Sequence, residues 1–288
     1  MERHIIPISG KDSLCTAIIM NKLHPKHEYI YFFNDTGLEL PPVYLWLQKV
    51  EKTLGIKITT VGSNLKNIMY EQGLLPSARI RYCTRLSKIY PMESFLKEYL
   101  NDKIFLYLGI RADEERVGYK SLGKLNIIPC YPLKDNNIDL QAVYTIIEKY
   151  DLMPPTFFWS SVYEEVLNHI PLSQIENIPS WVKTILFAWR SRPNCFMCFF
   201  QRQYEIVGLH EHYPELFDEM SKMETEIGAE GFNFLRKSVS EIISNKDKIK
   251  GKRVKKIVKD IINFNQLTLF SVQDEEQFGR SCGLFCGK

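Results

Sequence analysis

Two groups of residues in this 288-residue chain have types and spacing suited to chemistry: Ser9-Gly10-Lys11-Asp12-Ser13, and seven cysteines. The five-residue stretch follows a short apolar run, Ile5–Ile8, and leads at once into a helical pattern, Leu14–Leu23. Strand, tight polar turn and helix together hold anions. Amides of the turn and of the helix N-terminus point at the ligand, and the helix dipole adds partial positive charge. Gly10 lets the backbone approach closely, Lys11 supplies a point charge, and Asp12 and Ser13 suit an N-cap. The stretch is not a Walker A loop, which has a glycine five residues before its Gly-Lys pair and a Ser or Thr straight after it. Ile5 and Asp12 hold those places here.

The cysteines stand at 15, 83, 130, 195, 198, 282 and 286, too unevenly for a disulfide framework in a chain that reads as cytosolic. Cys195/Cys198 form a C-x2-C pair and Cys282/Cys286 a C-x3-C pair, spacings that suit metal ligation. Thiolate sets favour zinc or iron–sulfur clusters. The other reading of Cys195 and Cys198 is a redox dithiol or two buried side chains. One pair cannot close a tetrahedral site, so further ligands must come from elsewhere. Cys15 and Cys130 lie in apolar surroundings and read as small core residues.

The elements that must position these residues follow from composition and pattern. Hydrophobic content of 45% and charged content of 25% are those of a globular protein with a substantial core. No apolar run approaches the roughly 18 residues of a membrane helix. The start, Met1-Glu2-Arg3-His4, lacks the apolar stretch of a signal peptide, so a cytoplasmic protein is expected. Strand patterns at His4–Ser9, Tyr29–Asn34, Lys57–Val61, Ile104–Ile110 and Ile127–Tyr131 alternate with helical patterns at Leu14–Leu23, Val43–Leu54, Leu65–Glu71 and Arg85–Leu100. Such alternation predicts an α/β fold with a Rossmann-like, mostly parallel, doubly wound sheet. Ligands of such sheets bind beyond the C-terminal strand ends.

From about Asp139 helical patterns take over, at Leu140–Tyr150, Ser161–His169, Trp181–Trp189, Gln201–Glu211 and Glu215–Glu226. The expected division is a nucleotide-binding domain at 1–138, a helical part with the C-x2-C site at 139–270, and a cysteine-containing tail at 271–288. The net charge of +3 hides an asymmetry: Lys246 to Lys259 carries eight cations against Asp247 alone, or +7, leaving −4 for the rest. That run reads either as a solvated face or as a nucleic-acid contact.

Two further turns fall at strand ends. Asp35-Thr36-Gly37 follows the second strand, where an acid beside an anion loop can accept from a ribose or hold a metal; the plain alternative is a helix cap. Gly109-Ile110-Arg111-Ala112-Asp113-Glu114-Glu115-Arg116 closes the fourth strand. Arg111 and Arg116 could clamp phosphate or sulfate with fork geometry, or belong to a surface salt-bridge cluster.

In this order, these pieces resemble the phosphoadenosine phosphosulfate (PAPS) reductase family of the PP-loop ATP pyrophosphatase superfamily. The resemblance rests on Ile8–Ser13, close to that superfamily's S-G-G-K-D-S loop with Ser9 replacing one Gly. It also rests on Asp35-Thr36-Gly37 with Glu39 and Pro41, on Arg81–Arg85 with Lys88 and Pro91, and on Gly109–Glu114. It covers residues 4 to 135 well and continues more thinly through Cys195 to Phe217. The resemblance implies that Ser9, Gly10, Lys11, Asp12 and Ser13 contact the phosphates of an adenylyl nucleotide, with Mg as a further component. Asp35 and Gly109 would lie near the nucleotide, and Arg111 near the transferred or leaving anion. It also implies that Cys83 is the first member of a cluster-ligating pair completed by Cys195 and Cys198. Thr84 stands where the second early cysteine would be, so a fourth ligand would be Cys286 or Cys282, or one iron would stay open. The family's reductases end in a Glu-Cys-Gly-Leu-His segment with a nucleophilic cysteine; here Cys282-Gly283-Leu284 is kept, but Ser281 and Phe285 replace the Glu and the His.

Three functions follow. In the first, ATP adenylates a carbonyl or phosphate oxygen of a nucleic acid or small molecule at Lys11 and Asp12, and a sulfur nucleophile, carried by the 4Fe–4S cluster or a cysteine persulfide and supplied by a donor protein, displaces AMP. The Lys246–Lys259 run would then meet DNA or tRNA. In the second, the chain reduces (phospho)adenylyl sulfate, with Cys282 as nucleophile and a thiol protein as electron donor. In the third, it is a non-catalytic nucleotide-binding protein with structural zinc. A homo-oligomer is compatible with each.

Overall fold

The computed structural model describes residues 1–116, 118–119, 126–228 and 237–265. Five strands, β1 (Glu2–Pro7), β2 (Tyr29–Asp35), β3 (Ile58–Gly62), β4 (Lys103–Tyr107) and β5 (Ile127–Cys130), form one sheet in the order β3-β2-β1-β4-β5. Every pairing is parallel. Helices α1 (Lys11–Leu23), α2 (Pro41–Leu54) and α3 (Leu65–Gln72) follow the first three strands. The chain therefore winds one way from β1 to β3 and the other way from β4 to β5. The direction reverses between β1 and β4, and the loops there part to leave a crevice at the strand ends.

The predicted doubly wound sheet is present, with apolar residues buried on both faces, as parallel sheets require. One face carries Ile6, Ile8 and Phe33 against α1, α2 and the helical half. The other carries Ile5, Phe32 and Leu106 against Met92 and Leu96. The first of these clusters runs without a break from Ile6 to Ile261. Trp46 Nε1 of α2 donates to Leu152 O at 3.0 Å, pinning the start of the helical half to the sheet layer.

Three expected elements differ. The Arg85–Leu100 pattern is instead a helix at Tyr82–Thr84, a π-turn at Arg85–Ile89, a helix at Tyr90–Leu96 and a 3-10 turn at Lys97–Tyr99. Pro91 cannot donate to the carbonyl four residues back, and its ring crowds that carbonyl, so the turn before it widens. The earlier start places Cys83 inside the helix. The Trp181–Trp189 pattern ends as a helix at Leu186. Phe187–Trp189 then runs extended beside Phe157–Trp159, with Trp159 N donating to Phe187 O and Trp189 N to Phe157 O, both at 2.8 Å. This buries Phe157, Trp159, Phe187 and Trp189 together, an alternation of period two hidden inside an aromatic run. The Gln201–Glu211 helix starts two residues later, at Gln203. Helices at Leu172–Glu176 and Val239–Ser244 have no counterpart in the sequence reading.

Among the described residues no helix is long and apolar enough to cross a membrane.

Candidate active site

The crevice between β1 and β4 opens into a cleft of about 270 Å³, walled by Ser9–Ser13, Gly109–Arg111, Lys88, Glu39 and, from the helical half, Arg190–Asn194. The loop forms as its residues suggest. Ser13 Oγ accepts from Ser9 N at 2.9 Å and Gly10 N at 3.1 Å, and donates to Gly10 O at 3.0 Å. The hydroxyl thus holds the turn, and the first-turn amides of α1, which have no intrahelical acceptor, belong to residues that line the cleft. Gly10 has an extended backbone (φ 174°), and an added Cβ would meet only Pro193 Cγ at 3.8 Å, so sterics do not demand glycine there. The demand falls on Gly109, where a Cβ would lie 2.7 Å from both Asp12 C and Ser13 N. The end of β4 is pressed against the loop after β1, and only a residue without a side chain fits between them.

Arg111 is not a surface residue. It is 1% exposed, and its guanidinium serves three carboxylates. Nε and Nη2 grip Asp113 at 2.9 and 3.2 Å, and Nη1 reaches Asp12 at 3.1 Å and Glu114 at 2.8 Å. Arg116 in turn bonds Glu114. The fork that sequence reasoning offered to phosphate is therefore filled by protein oxygens, and Arg111 fixes Asp12 from across the crevice. Burial alone would raise the Asp12 carboxyl, but Lys11 (3.2 Å) and Arg111 outweigh it and hold the group below the usual carboxylate range. Asp12 is thus a fixed anion beside Lys11, placed to orient a metal–phosphate group or the ammonium. Of the remaining cations at the cleft wall, Lys88 comes from the π-turn and Arg192 from the helical half.

Asp35 is placed differently from Asn34 and Glu39. Its Oδ1 accepts from Gly37 N at 2.7 Å and Tyr44 Oη at 2.9 Å, and it lines a neighbouring depression rather than the cleft. Glu39 and Asn34 line the cleft itself. Glu39 accepts from Thr36 N and Oγ1 at 3.1 and 2.8 Å, and burial together with its hydrogen bond to Asp35 pushes its carboxyl up to about 7.

Cys83, Cys195 and Cys198 come together. All three are buried and line one cavity of about 20 Å³, room for about one water-sized body. Cys198 N donates to Cys195 O at 3.1 Å, the tight turn that brings both thiols of the C-x2-C pair to one side. Arg190, fully buried, holds this turn: Nη2 donates to Asn194 O at 2.6 Å and Cys195 O at 2.8 Å, and Nη1 to Gln201 Oε1 at 3.0 Å. Burial lowers its pKa, opposed by Glu205 and by Cys195 and Cys198. Among the described residues no group of three or more His, Cys, Asp or Glu is arranged to hold a metal ion. Three cysteines at one cavity are the donor type of a thiolate-held zinc or iron–sulfur centre. Cys282 and Cys286 lie outside the described residues. Cys15 is a core residue, as expected, its thiol pushed up to about 12 by burial, whereas Cys130 is only half-buried.

Sequence reasoning missed Asn34, Arg190, Arg192 and Asn194 as cleft residues. The basic pair of Arg190-Ser191-Arg192, just before the C-x2-C turn, was the available signal.

The site is thus a polar loop at the switch point of a parallel α/β sheet, with a buried Arg–Asp pair joining the ends of β1 and β4. Residues 3–128 match the family model described as phosphoadenosine phosphosulfate reductase domain, so the sheet half of the chain is similar to the PAPS reductase-like family. The chain is also similar to two Methanocaldococcus jannaschii proteins, both described only as uncharacterized. One is 27% identical over 73% of this chain and 38% of its own length, the other 24% identical over 83% and 54%. The chain thus spans about half or less of the relatives it matches. No solved structure gives a significant match.

Proposed function

We propose that the protein binds ATP in the cleft and uses it to activate an oxygen of an acceptor for replacement by sulfur. The observation that carries this reading is a shared wall: Lys88 and Asn194 line both the nucleotide cleft and the cysteine cavity. An anion loop and three thiols therefore stand side by side. In the reaction, the acceptor oxygen attacks the α-phosphorus and pyrophosphate leaves towards the Lys11–Ser13 amides and the Lys11 ammonium. A sulfur nucleophile from a donor protein then displaces AMP. Lys88 is placed to balance charge between the two cavities. Cys83, Cys195 and Cys198, with a tail cysteine, would hold an iron–sulfur cluster or zinc; a cluster would supply the sulfur-handling chemistry.

Anaerobically purified protein is expected to be brown, and to release pyrophosphate from ATP when acceptor and sulfide are supplied. Cys195→Ser/Cys198→Ser should lose the visible absorbance and the bound iron together. A colourless wild-type protein with stoichiometric zinc would sink the cluster, and ATP left intact would sink the activation step. The description of the matched family favours a second reading, reduction of (phospho)adenylyl sulfate through Cys282. That reading predicts consumption of the sulfonucleotide, indifference to ATP, and complete loss of activity in Cys282→Ser.

The acceptor we propose is a nucleic acid. The Lys246–Asn265 helix buries Val254, Ile257 and Ile261 and turns Lys248, Lys252, Lys255, Lys256 and Lys259 to solvent. Beside it, Arg202, Lys237, Lys248, Lys252 and Lys256 line a groove of about 550 Å³. Lys248→Glu/Lys252→Glu/Lys256→Glu should weaken binding of a tRNA or DNA oligonucleotide at least tenfold and flatten its salt dependence, since each phosphate contact contributes a slope of about 0.9. Unchanged affinity and slope would remove the nucleic acid from the proposal.

A further inference from the structure

Among the described cleft residues, the carboxamide of Asn34 is buried with both of its polar atoms unpaired. Asn34 is 6% exposed, and among the described residues neither Nδ2 nor Oδ1 has a hydrogen-bond partner. A buried amide left unpaired at both ends is costly, and such groups in native proteins nearly always find a partner. The position is a strand interior between Phe33 and the sheet end, where an apolar side chain would bury without that cost. Asn34 shares the face of β2 that carries Phe32, because side chains alternate along a strand. Pro7 pairs with Phe32 in register, so two residues further along Asn34 stands beside Ser9, at the root of the anion loop. On that face the cleft is walled by Pro7, Leu108 and Ile110. An apolar slot with one carboxamide, next to a phosphate-binding turn, suits a flat heteroaromatic ring with its polar edge turned to the amide.

Chemistry narrows the ring. Phosphate oxygens only accept, so a phosphate would satisfy Nδ2 and leave Oδ1 unpaired. Adenine offers an acceptor nitrogen beside its 6-amino donor, the pattern an asparagine side chain meets with two hydrogen bonds. We infer that Asn34 reads the edge of the adenine base, donating from Nδ2 to a ring nitrogen and accepting at Oδ1 from the 6-amino group. This rests on the reading of the cleft as an ATP site.

The test compares ATP with purine riboside 5′-triphosphate, which lacks the 6-amino donor, on wild type and Asn34→Leu. Wild type should prefer ATP by about tenfold or more, the range of a good bidentate contact. Asn34→Leu should discriminate less than about twofold while binding inorganic pyrophosphate as wild type does. Without nucleotide, Asn34→Leu should also melt about 2–4 °C higher, because it removes the unpaired amide from the core. A leucine variant that keeps the preference for ATP, or that melts lower than wild type without nucleotide, overturns the inference while leaving ATP binding standing. Failure of wild type to bind either triphosphate would instead sink the ATP site itself.

Discussion

Gly109→Ala should abolish nucleotide binding while leaving a folded protein. The added methyl would sit 2.7 Å from Asp12 C and Ser13 N, both backbone atoms that cannot swing aside. Relief requires the end of β4 to move away from the first turn of α1. That movement separates Arg111 from Asp12 and turns the loop amides off their common target. Overpacking of this kind costs about 1–3 kcal/mol of stability, which a chain with this core should survive. The loss in binding should be far larger, roughly a hundredfold or more, because several amides must converge on one anion. Thermal denaturation with titration of ATP and of pyrophosphate would check it. A variant that binds both normally would mean the close approach of β4 to the loop has no part in the site. Gly10→Ala is the control: its backbone is one any residue adopts and the nearest atom is 3.8 Å away, so it should bind much better than Gly109→Ala.

Arg111→Ala should be the most destabilising single change at the cleft, by about 3–5 kcal/mol, the penalty for leaving buried charges without their partner. Asp12 would keep Lys11 and Glu114 would keep Arg116, while Asp113 would lose its fork. The loss should depend on pH, and the sign follows from Asp12. In the wild type its carboxyl lies below its ordinary value of 3.8, so it contributes stability above that value, lost as pH falls through the folded one. Without Arg111 the burial of Asp12 meets less opposition and its pKa rises, so the variant should gain relative to wild type on acidification. The gap in melting temperature should therefore be widest near pH 7 and narrow towards pH 4.5. An equal gap at both would mean that Arg111 acts through packing alone. Arg111→Lys, which keeps the charge but not the fork, should fall between the two.

Much of the sheet was legible because its strands and helices announce themselves locally. Apolar runs of strand length, each ended by a polar turn, placed β1 to β5 to within a few residues. The loop was legible for the same reason: Ser9–Ser13 is short, and its chemistry lies in its own backbone and side chains. The segments that misled were those in which a distant partner or an internal proline overrides the local pattern. Phe187–Trp189 reads as helix until Phe157–Trp159 is laid against it, and Arg85–Leu100 reads as one helix until Pro91 is weighed against the turn before it.

The division at the site follows the same line. From residue types alone come the anion loop, the C-x2-C turn, the basic helix and the acids and arginines that end the strands. Only the fold decided which of these meet. It buried Arg111 among carboxylates, turned Asp35 aside and set Asn34 in the cleft instead. It also moved the need for glycine from Gly10 to Gly109 and carried Cys83 to the cavity of Cys195 and Cys198. Local pattern records what a segment can form with itself. Pairings between segments far apart in the chain depend on strand order and on which apolar faces close together, and that information exists only once the core has packed.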